Sequence, residues 1–137
     1  MIRVNKLVDY GVVILIAIAK HNHQLLSARA LSEITDITLS MTQKVLKRLS
    51  AGLLVESTIG SKGGYQLKRS LSEISLKDVV DALEGDQTPK IKCGQLSALV
   101  RCEKSACLKK GHWFEVEEAI NEMLKTYRLN RLLDCYK

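Results

Sequence analysis

The cysteines are the residues of this chain best suited to chemistry. Three of the four, Cys93, Cys102 and Cys107, fall within one stretch of fifteen residues. Clustered cysteines in a chain without a secretory signal are better explained by metal binding or redox chemistry than by a disulfide framework. The gaps of eight and four residues lack the close Cys-x-x-Cys pairs typical of structural zinc. The stretch predicts a metal cofactor held by thiolates, with cofactor-free thiol–disulfide chemistry or a zinc site as alternatives.

Other chemistry is poorly supported. No Cys–His–acid arrangement or phosphate-binding loop accompanies the cysteines, so we do not expect an enzyme. Cys135 stands alone near the C-terminus and has no predicted role. The longest apolar run, residues 11–19, is too short to cross a bilayer and precedes no cleavage pattern. We therefore expect a cytoplasmic protein.

Charge is distributed unevenly along the 137 residues. Residues 1–70 hold ten of the 21 Lys and Arg residues but four of the 15 Asp and Glu residues, so this half carries the whole net charge of +6. Residues 71–137 are balanced. A basic half beside a neutral half indicates contact with a polyanion. A merely soluble basic surface is the alternative.

The first fifty residues show a three-helix pattern. Asn5 can cap a helix that runs to about residue 20, and Ser27 can cap a second helix that ends near residue 35. In this second helix we expect Ala30, Leu31 and Ile34 to face inward. A short turn precedes a third helix over about 40–51, which Gly52 stops. Two short helices joined by a tight turn predict a helix-turn-helix.

A hairpin is expected directly after the third helix. Residues 53–57 and 65–67 fit short strands, and residues 60–64 form a glycine-rich tip that carries Lys62. In this position the hairpin fits the wing of a winged helix, whose tip approaches a phosphate backbone or minor groove. An ordinary hairpin with glycines that only supply positive φ is the alternative.

The remainder predicts one more short helix, an irregular connection and a long last helix. Ser75 and Asp78 form a cap signature for a helix over 76–84. A last helix over 113–133 carries a coiled-coil seam with spacings of three and four residues: Trp113, Val116, Ile120, Met123 and Tyr127. We expect a mainly α fold with a winged helix-turn-helix domain over 1–85, a cysteine-containing cofactor loop over 86–111 and a dimerisation helix over 112–137. A helix packed on its own domain is the alternative to a homodimer.

Several motifs together give the chain a family resemblance. The motifs are Lys6–Gly11, Ile37–Ser40 leading into Val45–Leu49, Gly52-Leu-Leu, Gly60-x-x-Gly63-Gly64-Tyr65, Ile74–Gly85 and the three clustered cysteines. With them the chain resembles, over essentially its whole length, the Rrf2-type family of bacterial winged-helix regulators. That family includes the regulator of iron–sulfur biogenesis, the nitric-oxide sensor and the regulators of the sulfur-mobilisation (Suf) operon. The opening Asp9-Tyr10-Gly11 and the spacing Trp113-x-x-x-Glu117-x-x-x-Asn121 are most similar to the Suf-type regulators.

The resemblance implies a repressor that binds double-stranded DNA with its third helix in the major groove. Seven side chains become candidate DNA contacts: Ser40, Thr42, Gln43, Lys44, Lys47, Arg48 and Lys62. Ser40-x-x-Gln43 is also a capping box, which would turn both side chains toward the backbone. We therefore favour Thr42 and Lys44 as base contacts, and Gln43 after them. Lys47 and Arg48 are expected at phosphates, and Lys62 at the tip of the wing.

The resemblance also implies an iron–sulfur cluster, of the 2Fe–2S or 4Fe–4S type, held by Cys93, Cys102 and Cys107. A cluster requires a fourth ligand. Asp9, an acid on an otherwise apolar helix and at the position where nitric-oxide-sensing relatives supply a carboxylate, is favoured over His112. The non-functional readings are a helix-start acid and a surface histidine. The implied function is control of iron–sulfur assembly genes in response to cluster, redox or nitric oxide status.

Overall fold

The computed structural model describes residues 5–21, 24–84, 115–116 and 118–136. The elements, in chain order, are α1 (Lys6–Lys20), α2 (Ala28–Thr35), α3 (Leu39–Ala51), β1 (Val55–Thr58), β2 (Gly64–Leu67), α4 (Leu76–Glu84), a helix over residues 118–126 that we call α5, and a 3₁₀ segment (Leu129–Tyr136). The mainly α winged-helix fold is therefore confirmed. No described helix has the length and apolar character needed to cross a membrane.

The core is built around α1, which contacts α2, α3, α4 and β2. Asn5 caps this helix as expected, because its side chain accepts a hydrogen bond from the Leu7 backbone N–H at 3.2 Å. The α1 residues Ile14 and Leu15 are fully buried. Each such side chain contributes about 1.5–3 kcal/mol to folding when it leaves water. The apolar body of α1 thus packs against the three other helices of the winged-helix fold.

The helix-turn-helix differs from expectation in two details. Ile34 was expected to face inward, but it is 46% exposed, and Ile37 of the turn is buried instead. The turn is tight because Asp36 adopts a left-handed conformation with φ of 57°. Helix α3 begins at Leu39 behind Thr38, without a side-chain cap. The Ser40–Gln43 capping box is therefore absent, which leaves both side chains free for other partners.

The hairpin has the expected position and a partner that the sequence did not indicate. Strands β1 and β2 are antiparallel, with Val55 opposite Leu67. Leu26, just before α2, forms a bridge to Tyr65 through two backbone hydrogen bonds of 2.8 and 3.1 Å. A Cβ at Gly64 would lie 2.8 Å from the Leu26 carbonyl. Gly64 is thus required by this close backbone approach, which attaches the base of the wing to the start of α2.

Helix α4 lies in a cradle made by two glycines. A Cβ added at Gly11 would lie 2.4 Å from Leu83 Cδ1, and one added at Gly52 would lie 2.6 Å from Ala82 Cβ. Gly52 does follow the end of α3, but its φ is −80°, and Leu53 takes the left-handed conformation with φ of 61°. Gly52 is needed for helix packing and not for its own backbone angle.

The cap of α4 is as expected. Its first turn is closed by a reciprocal pair of hydrogen bonds between the backbone N–H of Ser75 and the Asp78 carboxylate, and between the Asp78 N–H and the Ser75 hydroxyl. Such a capping box satisfies two backbone donors that a helix start otherwise leaves unpaired. The start of α4 is therefore encoded locally, and the chain runs from its end toward the cysteine stretch.

The C-terminal segment differs from the prediction of one long last helix. The long last helix was expected to reach residue 133, but α5 ends at residue 126. The carbonyl of Tyr127 then accepts a hydrogen bond from the Leu76 N–H at 2.8 Å, and the Leu129 N–H donates to the Ile74 carbonyl at 3.0 Å. Leu129 is fully buried in the core. The chain leaves helical geometry here because these backbone groups bind the start of α4.

Of the four described residues of the apolar seam expected on the last helix, Ile120 is half-buried and the other three are exposed. Val116, Met123 and Tyr127 are 47%, 72% and 38% exposed. Trp113 lies outside the described residues. The segment therefore combines a tail packed on its own domain with an exposed apolar face on α5.

Candidate nucleic-acid interface

One face of α3 forms an exposed polar and basic stripe. Ser40, Gln43, Lys44 and Lys47 are all exposed. Their spacing of three and four residues places them along the same side of a helix. Helix α3 contains no acidic residue. The stripe can therefore approach a polyanion with hydrogen-bond donors, acceptors and positive charge on a single rigid element.

Thr42, which was favoured as a base contact, is not part of this stripe. Its side chain is fully buried. Its hydroxyl donates to the Thr38 carbonyl at 3.0 Å and lies 3.4 Å from the Ile37 carbonyl. The assignment of Thr42 to a base edge is therefore wrong, since a threonine hydroxyl has one proton to donate and no exposed surface here. The residue ties the first turn of α3 to the turn of the helix-turn-helix.

Arg48, which was expected at a phosphate, contacts its own chain in this structure. Its side chain is half-buried, and Nη1 donates to the Leu83 carbonyl oxygen at 2.6 Å. Leu83 lies in the last turn of α4, where backbone carbonyls have no partner within the helix. A shallow cavity of about 220 Å³ lies beside this bond and is lined by Asn5, Leu7, Lys44, Arg48, Leu83 and Glu84. Arg48 therefore connects the third helix to the end of α4.

The wing supplies a third lysine. Lys62 is exposed at the tip of the hairpin, as expected. Within the described part of the chain, Lys44, Lys47 and Lys62 form no ion pair with an acidic residue. Their charges are therefore uncompensated by the described residues, which suits a surface that meets phosphates.

The sequence did not indicate the exposure of the residue directly before the tip. Ile59 is 97% exposed, more than any other large hydrophobic residue described here. In the sequence it follows a short apparent strand, where an isoleucine is unremarkable. An apolar residue directly before the glycine-rich tip was the available signal. Its exposure became evident only from the path of the hairpin.

The expected cofactor ligands fall mostly outside the described residues. This holds for Cys93, Cys102, Cys107 and His112. Asp9 is described and is exposed in the first turn of α1. Among the described residues, no group of three or more His, Cys, Asp or Glu side chains could hold a metal ion. Iron–sulfur clusters usually have four thiolate ligands, so three cysteines would leave one position for a carboxylate or an imidazole.

Comparisons with known proteins agree on one family. Residues 4–135 match the Rrf2 family, described as "Iron-dependent Transcriptional regulator". The chain is 31% identical over 126 residues to the protein rrf2 of Nitratidesulfovibrio vulgaris, covering 90% of this chain and 82% of the relative. It is 27% identical over 126 residues to the transcriptional regulator NsrR of Shouchella clausii, with 91% and 84% covered.

Two solved structures share the fold. CymR of B. subtilis, described as its global cysteine regulator, aligns with a TM-score of 0.72 at 24% identity, covering 100% of this chain and 99% of that chain. IscR of T. potens aligns with a TM-score of 0.71 at 23% identity, covering 99% and 89%. Both similarities extend through the winged helix and the C-terminal segment.

Proposed function

The chain belongs to the Rrf2 family of transcriptional regulators, and on that premise we propose that it is a homodimeric repressor whose DNA binding responds to an iron–sulfur cluster. We infer that the genes under its control serve iron–sulfur assembly and that the signal is cluster, redox or nitric oxide status. We also propose that the protein works in the cytoplasm, because a regulator must reach its operator DNA. The observation that carries the DNA-binding part of the proposal is the acid-free stripe on α3, together with the exposed Lys62 at the tip of the wing.

Base reading falls to three residues of the stripe. Gln43 can form a bidentate pair with adenine, Lys44 can reach the acceptors of guanine, and Ser40 can contact either. Lys47, one turn further along α3, is suited to a phosphate, and Lys62 contacts the backbone from the wing. Two recognition helices related by a dimer axis require a roughly palindromic operator with half-sites one or more helical turns apart.

The homodimer is supported by the uncovered seam of α5. Val116, Met123 and Tyr127 keep large fractions of their apolar surface exposed. Burial of such a face against a second copy would remove that surface from water. We therefore assign residues 112–127 to the dimer contact and residues 128–136 to packing on the chain's own domain.

The cluster is proposed on Cys93, Cys102 and Cys107. Asp9 is the favoured fourth ligand and His112 the alternative. The exposure of Asp9 in the described chain leaves its carboxylate accessible to a ligand set from a partner subunit. When bound, the cluster supplies a centre that oxidants and nitric oxide can alter. A single non-thiolate ligand would make that centre labile.

The Arg48–Leu83 hydrogen bond offers a route from the cysteine stretch to DNA. The stretch follows α4, and the last turn of α4 is held to α3 by Arg48 and by the close packing of Ala82 on Gly52. A change in the stretch that shifts the end of α4 would therefore move α3, the helix proposed to read DNA. Coupling of this kind requires an element with two arrangements, each favoured by one state of the cofactor.

A cofactor-free thiol regulator is the second candidate. The chain is 26% identical over 124 residues to the regulator CymR of B. subtilis. A related CymR from Staphylococcus aureus has been crystallised in an oxidised form. In this reading the same cysteines would be oxidised directly. A zinc-stabilised repressor is a third possibility, disfavoured by the cysteine spacing.

Anaerobic purification tests the proposal. We expect brown protein with visible charge-transfer absorption, about stoichiometric iron and sulfide, and loss of colour in Cys93→Ser, Cys102→Ser and Cys107→Ser. Cys135→Ser is the matched control and should keep its colour. DNA affinity of apo and cluster-loaded protein should differ for duplexes selected by the protein from a random library. Colourless protein with zinc, or with thiols whose oxidation alone changes DNA affinity, would favour the alternatives.

A further inference from the structure

The tip of the wing presents an isoleucine to solvent. Ile59 is 97% exposed, directly between β1 and the glycine-rich turn. Isolated exposed apolar residues are common on protein surfaces, so exposure alone carries little weight. Two other properties of the tip, its shape and its charge, indicate what the side chain could contact.

The tip has a defined shape. The Gly63 N–H donates to the Gly60 carbonyl at 3.0 Å, which closes a tight turn after Ile59. Gly60 has a φ of 132°, a conformation that other residues rarely adopt. A Cβ at Gly63 would lie 2.0 Å from the Thr58 carbonyl oxygen, so the two sides of the turn are in close contact. Ile59 is therefore held outward on a narrow, preorganised projection.

The charge of the tip is positive. Residues 59–63 carry Lys62 and no acid. The acid of β1, Glu56, is engaged by Gln66, whose Nε2 donates to its carboxylate. A slim projection with one cation and one protruding aliphatic side chain matches the duplex minor groove, where cations meet phosphates and apolar side chains press against base edges or between base steps.

We propose that Ile59 is a minor-groove reader that favours A·T over G·C pairs at the positions under the wing. This inference rests on the proposed DNA binding and adds a specificity determinant to it. In the minor groove, guanine projects an N2 amino group that A·T pairs lack. Burial of that donor against an aliphatic side chain leaves it without an acceptor, which is costly. The isoleucine thus disfavours G·C pairs, because the guanine amino group finds no hydrogen-bond acceptor beneath the side chain.

Diaminopurine substitution tests this directly. Replacement of adenine by 2,6-diaminopurine adds an amino group in the minor groove and leaves the major-groove edge unchanged. The probe is a duplex selected by the full-length protein from a random library, scanned one adenine at a time. We expect at least one position where the substitution weakens wild-type binding about tenfold. At that position Ile59→Ala should lose less than about twofold, because its smaller side chain leaves room for the amino group.

Two variants serve as controls. Ile59→Leu keeps an aliphatic side chain and should retain most of the discrimination. Lys62→Ala, at the same tip, should weaken binding to all duplexes and flatten the salt dependence while the discrimination ratio stays near that of the wild type. The thermal midpoint of Ile59→Ala should equal that of the wild type, since the side chain contacts almost nothing in the free protein.

The outcomes separate the inference from its premise. If the wild type binds selected duplexes but tolerates diaminopurine at every position, or if Ile59→Ala is equally sensitive, the inference is overturned and the regulator reading stands. If the wild type binds no duplex with salt-dependent affinity, in either the cluster-loaded or the apo form, the proposed function and the inference are both overturned.

Discussion

Arg48 of α3 donates a hydrogen bond from Nη1 to the carbonyl oxygen of Leu83 in the last turn of α4 at 2.6 Å. This bond joins the element that would read DNA to the element that leads into the cysteine stretch. It also satisfies a carbonyl that the end of α4 leaves without an intrahelical partner. The arginine therefore contributes to structure and, under the proposed function, to communication between the two sites.

Replacement of Arg48 tests both contributions. We expect Arg48→Met, which keeps much of the side-chain length, to destabilise the fold by about 1–3 kcal/mol, because a charge-assisted hydrogen bond is lost. The apo and cluster-loaded forms should then differ less in DNA affinity than those of the wild type. Chemical denaturation and binding titrations measure the two effects. Unchanged stability together with uniformly weaker DNA binding would instead return Arg48 to a phosphate contact.

Replacement of Lys47 is the matched comparison for the Arg48 variant, because Lys47 is its neighbour in the sequence. Lys47 is exposed beside Arg48 and has no described ion-pair partner. Lys47→Ala should leave stability nearly unchanged. It should weaken binding to all duplexes and lower the slope of log affinity against log salt by about one. A change in sequence preference would contradict the phosphate assignment.

Thr42 and Gln43 should behave differently although they are adjacent. Thr42→Val keeps the shape but removes the hydroxyl that donates to the Thr38 carbonyl, so we expect a loss of about 1 kcal/mol in stability and the same base preference. Gln43→Ala should keep stability and relax the preference at one operator position. Selection of duplexes from a random library by each variant measures its base preference. A new base preference in Thr42→Val would show that the side chain leaves its buried position on binding.

The contact of Gly52 with Ala82 predicts a rescue. Gly52→Ala places a methyl group 2.6 Å from the Ala82 Cβ, so α4 must shift away from α3. We expect a destabilisation of about 1–3 kcal/mol, as for other overpacked interfaces. The double variant Gly52→Ala with Ala82→Gly should recover part of this loss. Thermal denaturation of the wild type, the two single variants and the double variant gives a double-mutant cycle. Additive changes in stability would contradict a direct contact between the two residues.

A substitution of Met123 tests the proposed dimer contact. At 72% exposure it is the most exposed of the described seam residues. Met123→Glu should therefore leave the folded domain intact but raise the dimer dissociation constant by about tenfold or more, since a charge would be buried in an apolar interface. Light scattering over a dilution series measures the mass. Asn130→Glu, a change at an exposed position in the 3₁₀ segment, is a control expected to remain dimeric.

The sequence predicted those features that depend on local chemistry. Caps at Asn5, Ser27 and Ser75 and the apolar periodicity of the helices placed four helices and a hairpin close to their observed bounds. Local signals suffice here because a helix start needs only a nearby side-chain acceptor and a helix face needs only a regular apolar spacing. The clustered cysteines and the family motifs likewise indicated the class of regulator.

The tertiary structure decided what each side chain of those elements contacts. It buried Thr42, turned Arg48 toward α4, and exposed Ile34 and Ile59. It also ended the last helix at residue 126, where the chain meets the Ile74–Leu76 backbone, a partner some fifty residues earlier. Periodicity assigns a residue to a face of its own helix, but the neighbour on that face is set by packing between distant segments, and no local pattern encodes it.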